Sequence, residues 1–378
     1  MAQLFEADFQ GSGSAATTGP TKREDLADYI ALVDAKDTPF TSMAPKGKDL
    51  GNMYHRWSAD AHEATTTEGF RDGIDATGTV AGGLGNGLSH GTDYAPYIQN
   101  HARNRDELSN YAQYFRRATK VSPLAAEVTN PVGGKALLAQ GIAKKTVELK
   151  RDMEATFLSD NAPVLETSSV PYKTRGMGKW TTNAGGGALP IPTAFDTPTG
   201  SIADVGTSAT AGDTSLFTES LVQGVLESIY GETGNIRSYN LIAGTKIKRA
   251  FTNLTSTSTE FAASTSDYDS ATAGVQTAAM AGNPSVRTFN QELGNTTFKN
   301  TITVFEGDFG TLTIHVDNFV PATTTAYVIP MEMTEVRYGM LPRVGNIPNS
   351  GSGEGRIVEA VASLVVKNPL AFGKFHQV

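Results

Sequence analysis

The sequence predicts an α+β fold: a mixed helix-and-strand body built on one long helix, preceded by an extended, loop-rich arm. Three observations carry this. From Gly133 to about Ser159, Leu138, Ile142, Leu149, Met153 and Phe157 recur at steps of four, seven, four and four, with Thr146 in the gap. That is one apolar stripe of 3.6-residue period. The region before it is rich in glycine and poor in apolar side chains. The region after it mixes an amphipathic helix, short strands and one long apolar strand.

Composition sets the bounds. The chain has 378 residues, enough for two or three compact units. Hydrophobic residues are 39% and charged residues 19%. The 39 glycines exceed the average share of about 7%, so much of the chain is turn, loop or extended arm. With no Cys, disulfides, thiolate metal sites and cysteine nucleophiles are excluded. The opening MAQLFEADFQGSGS lacks the basic and apolar regions of a signal peptide. No run approaches the roughly 18 apolar residues of a membrane span. The expectation is a protein that is cytosolic when made, without a membrane, in which the sequons at Asn253 and Asn295 carry no meaning. A net charge of −8 argues against gripping nucleic acid by phosphate neutralisation, though not against enclosing it.

Residues 1–20 form a Gly/Ser/Thr-rich tail with isolated Phe5 and Phe9, flexible unless a partner orders it. Leu26, Ile30 and Val33 give Thr21–Lys36 a helical spacing, which Thr38-Pro39-Phe40 stops. Met53–Trp57 and Tyr111–Val121 read as strands. Between them Gly69, Gly73, Gly78, Gly82, Gly83, Gly85, Gly87 and Gly91 mark a stretch that cannot build a core of its own. The natural home of such an arm is another subunit's surface.

The long helix places Lys144, Lys145, Glu148, Lys150, Arg151 and Glu154 opposite its apolar stripe. Lys144–Glu148 and Lys150–Glu154 are i,i+4 pairs, each worth a few tenths of a kcal/mol. Asn130, Pro131 and Gly133-Gly134 punctuate its start, Asn161 and Pro163 its end; over that length it spans about 40 Å. Val164–Thr214 reads as loops and short strands. Thr218 is an N-cap for a helix whose face is Leu221, Val222, Val225, Leu226, Ile229 and Tyr230, ended by Gly231 and Gly234. Tyr239–Ile242 is a strand and Gly244–Leu254 a helix. Residues 255–300 are a surface excursion, and Thr301–Val316 is a hairpin about Gly307–Gly310. Ala326–Pro330 and Ile357–Val366 are strands.

Familiar chemical motifs fail in turn. The histidines, His55, His62, His90, His101, His315 and His376, form no HExxH, and solvated loop positions account for them better than a metal does. Gly83-Leu84-Gly85-Asn86-Gly87 lacks the flanking strand and helix of a dinucleotide loop. Gly133-Gly134-Lys135-Ala136 misses the P-loop at Thr129 and Ala136. Asp308-Phe309-Gly310 is a kinase tripeptide by letters only. No catalytic, cofactor-binding or metal-binding residue is assigned, and no cofactor is expected.

Several segments, in order, resemble the major capsid (major head) proteins of tailed bacteriophages with the HK97-like fold. Thr38-Pro39-Phe40 with Met43, Pro45 and Lys46 resembles their N-terminal arm. Tyr54, Trp57, Asp60, Glu68 and Gly69 resemble the start of their extended loop, and Asn110, Gln113, Val121 and Ser122 its return. The run Glu148–Glu154 falls at their spine helix, Gly176–Trp180 just after it, and Phe217–Leu254 at the core of their axial domain. Asp308–Gly310, Val320-Pro321, Val365–Asn368, Ala371 and Gly373 resemble the C-terminal half.

The resemblance implies an N-arm over 1–50, an extended β E-loop over 51–122, a peripheral P-domain over 123–180 and 320–378 with its spine helix at about 133–159, and an axial A-domain over 181–319. It implies a structural, non-enzymatic virion subunit. Hexamers and pentamers of it would form an icosahedral head around dsDNA bound without sequence specificity. Decoration, portal and separate scaffold proteins would be partners. Because only about fifty residues precede the E-loop, a fused coiled-coil scaffold has no room. The alternative within the fold is an encapsulin-like compartment shell around enzyme cargo. A surface adhesin and an enzyme are the rivals outside it. Some relatives weld subunits by a Lys–Asn isopeptide, but no Lys stands between Lys48 and Lys120. A non-covalent shell is therefore expected.

Overall fold

The structure is a computed structural model that describes residues 37–60, 106–127, 136–182, 189–206, 212–256, 289–292, 295–298, 302–348, 351 and 353–377. The tail 1–20, the helical pattern at 21–36, most of the glycine-rich arm with His62, His90 and His101, the start of the long-helix pattern and most of the 255–300 excursion lie outside them.

In chain order the elements are α1 (Pro39–Met43), β1 (Tyr54–Ala59), β2 (Asp106–Tyr111), β3 (Gln113–Val121), α2 (Pro123–Glu127), α3 (Leu137–Leu158), α4 (Met177–Trp180) and β4 (Ile202–Asp204). There follow α5 (Glu219–Thr233), β5 (Arg237–Ala243), α6 (Thr245–Ser256), β6 (Phe289–Glu292), β7 (Asn295–Phe298), β8 (Val304–Gly307), β9 (Gly310–Val316), β10 (Ala326–Ile329), β11 (Thr334–Ile347), β12 (Glu354–Val366) and β13 (Gly373–His376). The chain divides into two compact units: one takes residues 1–36, 116–148 and 343–359, the other 37–115, 149–342 and 360–378.

The larger unit is centred on a six-stranded sheet of order β4-β13-β10-β5-β9-β8. It is mixed: β5 runs parallel to β9 and β13 to β4, while β10 is antiparallel to both β5 and β13. Val222, Val225, Leu226 and Ile229 of α5 and Ile247 and Phe251 of α6 bury against Tyr239, Leu241, Leu312, Val328 and Phe375. Helix α5 starts where the sequence places it, with Thr218 Oγ1 accepting from Leu221 N at 3.2 Å. It ends at Gly234, which is left-handed (φ 65°) and donates to Tyr230 O; Gly231 lies inside the helix rather than ending it.

Asp308-Phe309 turns the β8–β9 hairpin. Gly310 follows at φ 149°, and a Cβ there would stand 2.7 Å from the Arg237 carbonyl. That glycine is needed by the turn and by its parallel neighbour, not by phosphate chemistry.

The smaller unit holds α2, the first half of α3 and the outer ends of β3, β11 and β12, the three strands of a second sheet of order β11-β12-β3. Helix α3 comes down on β3 at Gly141, where a Cβ would meet Thr119 Oγ1 at 2.7 Å. Arg343 and Glu359 pair across β11 and β12 at 2.8 Å.

Four expectations need correction. Pro39, read only as a stop for a helix that lies outside the described residues, opens α1, at a position whose N–H has no helical partner anyway. The strand expected over Tyr111–Val121 is two strands that break at Ala112 and enter different sheets. The ion pair near Glu148 is to Lys145, at 2.6 Å, not to Lys144. Glu154, assigned by periodicity to the polar side, is fully buried. Strands β11 and β13 are absent from the sequence reading.

Candidate assembly site

Two buried polar anchoring points stand out in the larger unit: the β1–β2 ladder and Glu154 in the second half of the long helix. Residues 60–105 connect β1 to β2, which pair antiparallel from Tyr54↔Tyr111 to Ala59↔Asp106. Outward Tyr54, Arg56 and Ser58 alternate with inward His55, Trp57 and Ala59, as a half-buried strand requires. Arg56 pairs with Glu107 at 2.9 Å, both exposed.

Buried polar bonds hold this base to the body. Trp57 Nε1 donates to the Val366 carbonyl at 3.1 Å, and its ring lies 5.6 Å from that of Trp180. Asn110 has no exposure. Its Nδ2 donates to Leu364 O (2.8 Å) and Thr174 Oγ1 (3.1 Å), and its Oδ1 accepts from Arg175 N (2.8 Å) and Tyr111 N (2.9 Å). The amide thereby uses both donors and both acceptor sites. Ser363 Oγ adds a bond to Tyr111 O at 3.2 Å.

Arg175 stacks 4.3 Å over Trp180, and burial pulls its guanidinium down to about 10. His55 stacks on Trp57; burial first, then Arg337, lowers it to about 4, so it is neutral at pH 7. The described histidines are not the solvated loop residues expected: His55 lies on β1, His315 on β9, meeting Asn240 at 3.1 Å, and His376 on β13. Among the described residues no three His, Cys, Asp or Glu side chains gather to hold a metal, and no helix is long and apolar enough to cross a membrane.

The second anchor is Glu154. Its Oε1 accepts from Phe40 N at 2.7 Å and its Oε2 from Thr41 N at 2.8 Å. Thr38, the N-cap of α1, makes no side-chain cap. Glu154 takes that role from another helix, satisfying the first-turn donors that α1 cannot satisfy itself. Phe40, also fully buried, packs edge-on to Phe157 at 6.5 Å between centroids. Burial, and then the Asp317 carboxyl beside it, push the Glu154 carboxyl up to about 8. Sequence periodicity missed Glu154, Asp317 and Asn110. The resemblance marked Asn110 and the run holding Glu154, but no local pattern showed that either is buried or what it binds: β2 reads DELSNY, mostly polar.

The family model for the SU10 major capsid protein matches residues 9–378. The chain belongs to that family. It is a phage major capsid protein and a virion component, and its α+β fold is HK97-like. Solved structures agree on the fold. The capsid of cyanophage A-1(L) superposes at a TM-score of 0.61 and 12% identity, over 94% of this chain and 97% of that one. The capsid of cyanophage P-SCSP1u gives 0.54 at 10%, over 98% and 99%, and that of a native GTA particle 0.53 at 12%, over 97% and 99%. No curated protein matches in sequence. The SU10 family match favours the phage-head reading over the compartment shell.

Proposed function

We propose that this capsid protein is the repeating subunit of an icosahedral head, assembled as hexamers and pentamers around dsDNA that it encloses without reading its sequence. In this reading residues 1–50 are the N-arm, 51–122 the E-loop, 123–180 and 320–378 the P-domain, and 181–319 the A-domain. The subunit performs no catalytic step, and portal, scaffold and decoration proteins are its partners. The observation that carries the reading is the stapled base of the arm. Ala59 and Asp106 are paired, so residues 60–105 leave and return at one point of the ladder, and that point is held by the four bonds of Asn110. A rigid base lets a long excursion transmit tension to a neighbour.

The shell is locked without covalent bonds. The arm has no Lys short of Lys120, near its returning end, and the chain has no Cys, so its outward excursion supplies no amine and no thiol is available. The test replaces 61–105 with a short Gly-Ser turn, sparing the ladder. Size exclusion and electron microscopy should then show folded subunits or capsomers and no closed shells. Normal closed shells would overturn the role given to the arm.

A further inference from the structure

We propose that a cavity between α4 and β13 is a binding site for a protonated oxyanion: hydrogen phosphate, free or as the end group of a phosphate monoester. The cavity is about 340 Å³, and Asp160, Gly178, Lys179, Thr181, Lys374 and His376 line it. All belong to the larger unit. At about 30 Å³ per water it has room for such an ion and several waters. The fold builds its walls. Lys374 and His376 stand two apart on β13 and so share a face. Gly178 admits Asp160, because a Cβ there would overlap Asp160 Oδ1. Asp160 pairs with Lys374 at 3.1 Å, and α4 brings a second ammonium, Lys179.

What points to a ligand is what these groups leave unspent. The Lys374 side chain is only 12% exposed, yet of its N–H donors one bonds to Asp160 and the others have no hydrogen-bond acceptor among the described residues. His376 Nδ1 and Tyr327 Oη are buried without a hydrogen-bond partner among those residues. Tyr327 Oη stands 2.8 Å from where a Gly178 Cβ would be. Burial, then Lys374, holds His376 below its ordinary range, so its ring is neutral at pH 7. Asp204, the other carboxylate near His376, accepts from Gly206 N at 3.2 Å and does not line the cavity. The lining selects the ligand. A cation would face Lys179 and Lys374. Sulfate or an ionised carboxylate would suit the ammonium groups and be repelled by Asp160. Hydrogen phosphate meets both: its ionised oxygens accept from Lys374 and Lys179, and its P–OH donates to Asp160, each a charge-assisted bond. A phosphodiester has no such proton, so the backbone of DNA does not fit.

Isothermal titration calorimetry on the full-length protein tests this at pH 6, near the second ionisation of a phosphate monoester. Inorganic phosphate should bind saturably, one per chain, and about tenfold more tightly than sulfate at matched ionic strength. Lys179→Gln, at an exposed position, should weaken phosphate by about tenfold. Asp160→Asn offers sulfate an N–H in place of a repelling oxygen, so the preference for phosphate should shrink to about twofold; if that variant does not fold, Lys179→Gln and the sulfate comparison decide. Competition by a nucleoside 5′-monophosphate assigns the site to monoesters, and failure to compete assigns it to the free ion; both uphold it. Absence of saturable phosphate binding overturns the proposal. So does sulfate binding as tightly as phosphate, or unchanged affinity in Lys179→Gln.

Discussion

The two halves of the long helix follow one sequence pattern and meet two different fates. In the first half Leu138, Ile142 and Thr146 are only half-buried. In the second, Leu149, Met153, Phe157 and Leu158 are sealed, and Glu154 is sealed with them. A 3.6-residue period fixes which side chains share a face. It does not fix how much covers that face. Beyond Leu149 a second layer, Phe40 and Phe115, closes over Phe157 with edge-on ring contacts at 6.5 and 6.1 Å. This extra cover also turns a nominally polar position into an interior one, where a carboxyl survives only with N–H donors and a proton.

Substitutions should split along that line, beginning with the largest effect. Phe157→Ala should cost about 3–5 kcal/mol, as a large cavity does. Ile142→Ala should cost about 1 kcal/mol, in proportion to its partial burial. Equal losses in urea titrations of the two variants would erase the distinction between the halves.

Glu154→Ala comes next. It leaves Phe40 N and Thr41 N without their acceptor, at about 1–3 kcal/mol, and should release α1 before the body unfolds. A single cooperative transition that still included α1 amides, shifted by less than a few tenths of a kcal/mol, would contradict this.

The pH dependence is subtler, because two buried groups oppose each other. Glu154 is raised, so its contribution is complete below about 4.5 and is lost as pH rises toward about 8. His55 is lowered to about 4, so the stability tied to it grows as pH rises from about 4 to 6.5. The two offset each other up to pH 6.5. From 6.5 to 8 the Glu154 loss stands alone, and thermal melts of the wild type should decline there while those of Asp317→Asn stay level. The smallest effect belongs to the half-exposed turn: Lys145→Ala, which removes the 2.6 Å pair with Glu148, should change stability by a few tenths of a kcal/mol at most.

Local rules determined much of this molecule from the sequence. Thr218 and Gly234 bound α5, Gly307–Gly310 turn the β8–β9 hairpin, and Met53–Trp57 and Ile357–Val366 fall on strands β1 and β12, because caps, turns and alternation act over a few residues. The order of segment resemblances likewise led to the capsid family. Tertiary structure alone decided the rest. Strand β11 alternates weakly and carries Pro342 and exposed Leu341 and Val344; pairing with β12 makes it a strand. The chain around Ala112 divides between two sheets because β1 claims residues 106–111. Glu154 and Asp317 are 163 positions apart in the chain, and Asn110 bonds to Leu364, 254 positions away. No local pattern encodes such partners. A buried polar group is tolerable only where distant backbone donors and acceptors meet it, and packing, not periodicity, brings them there.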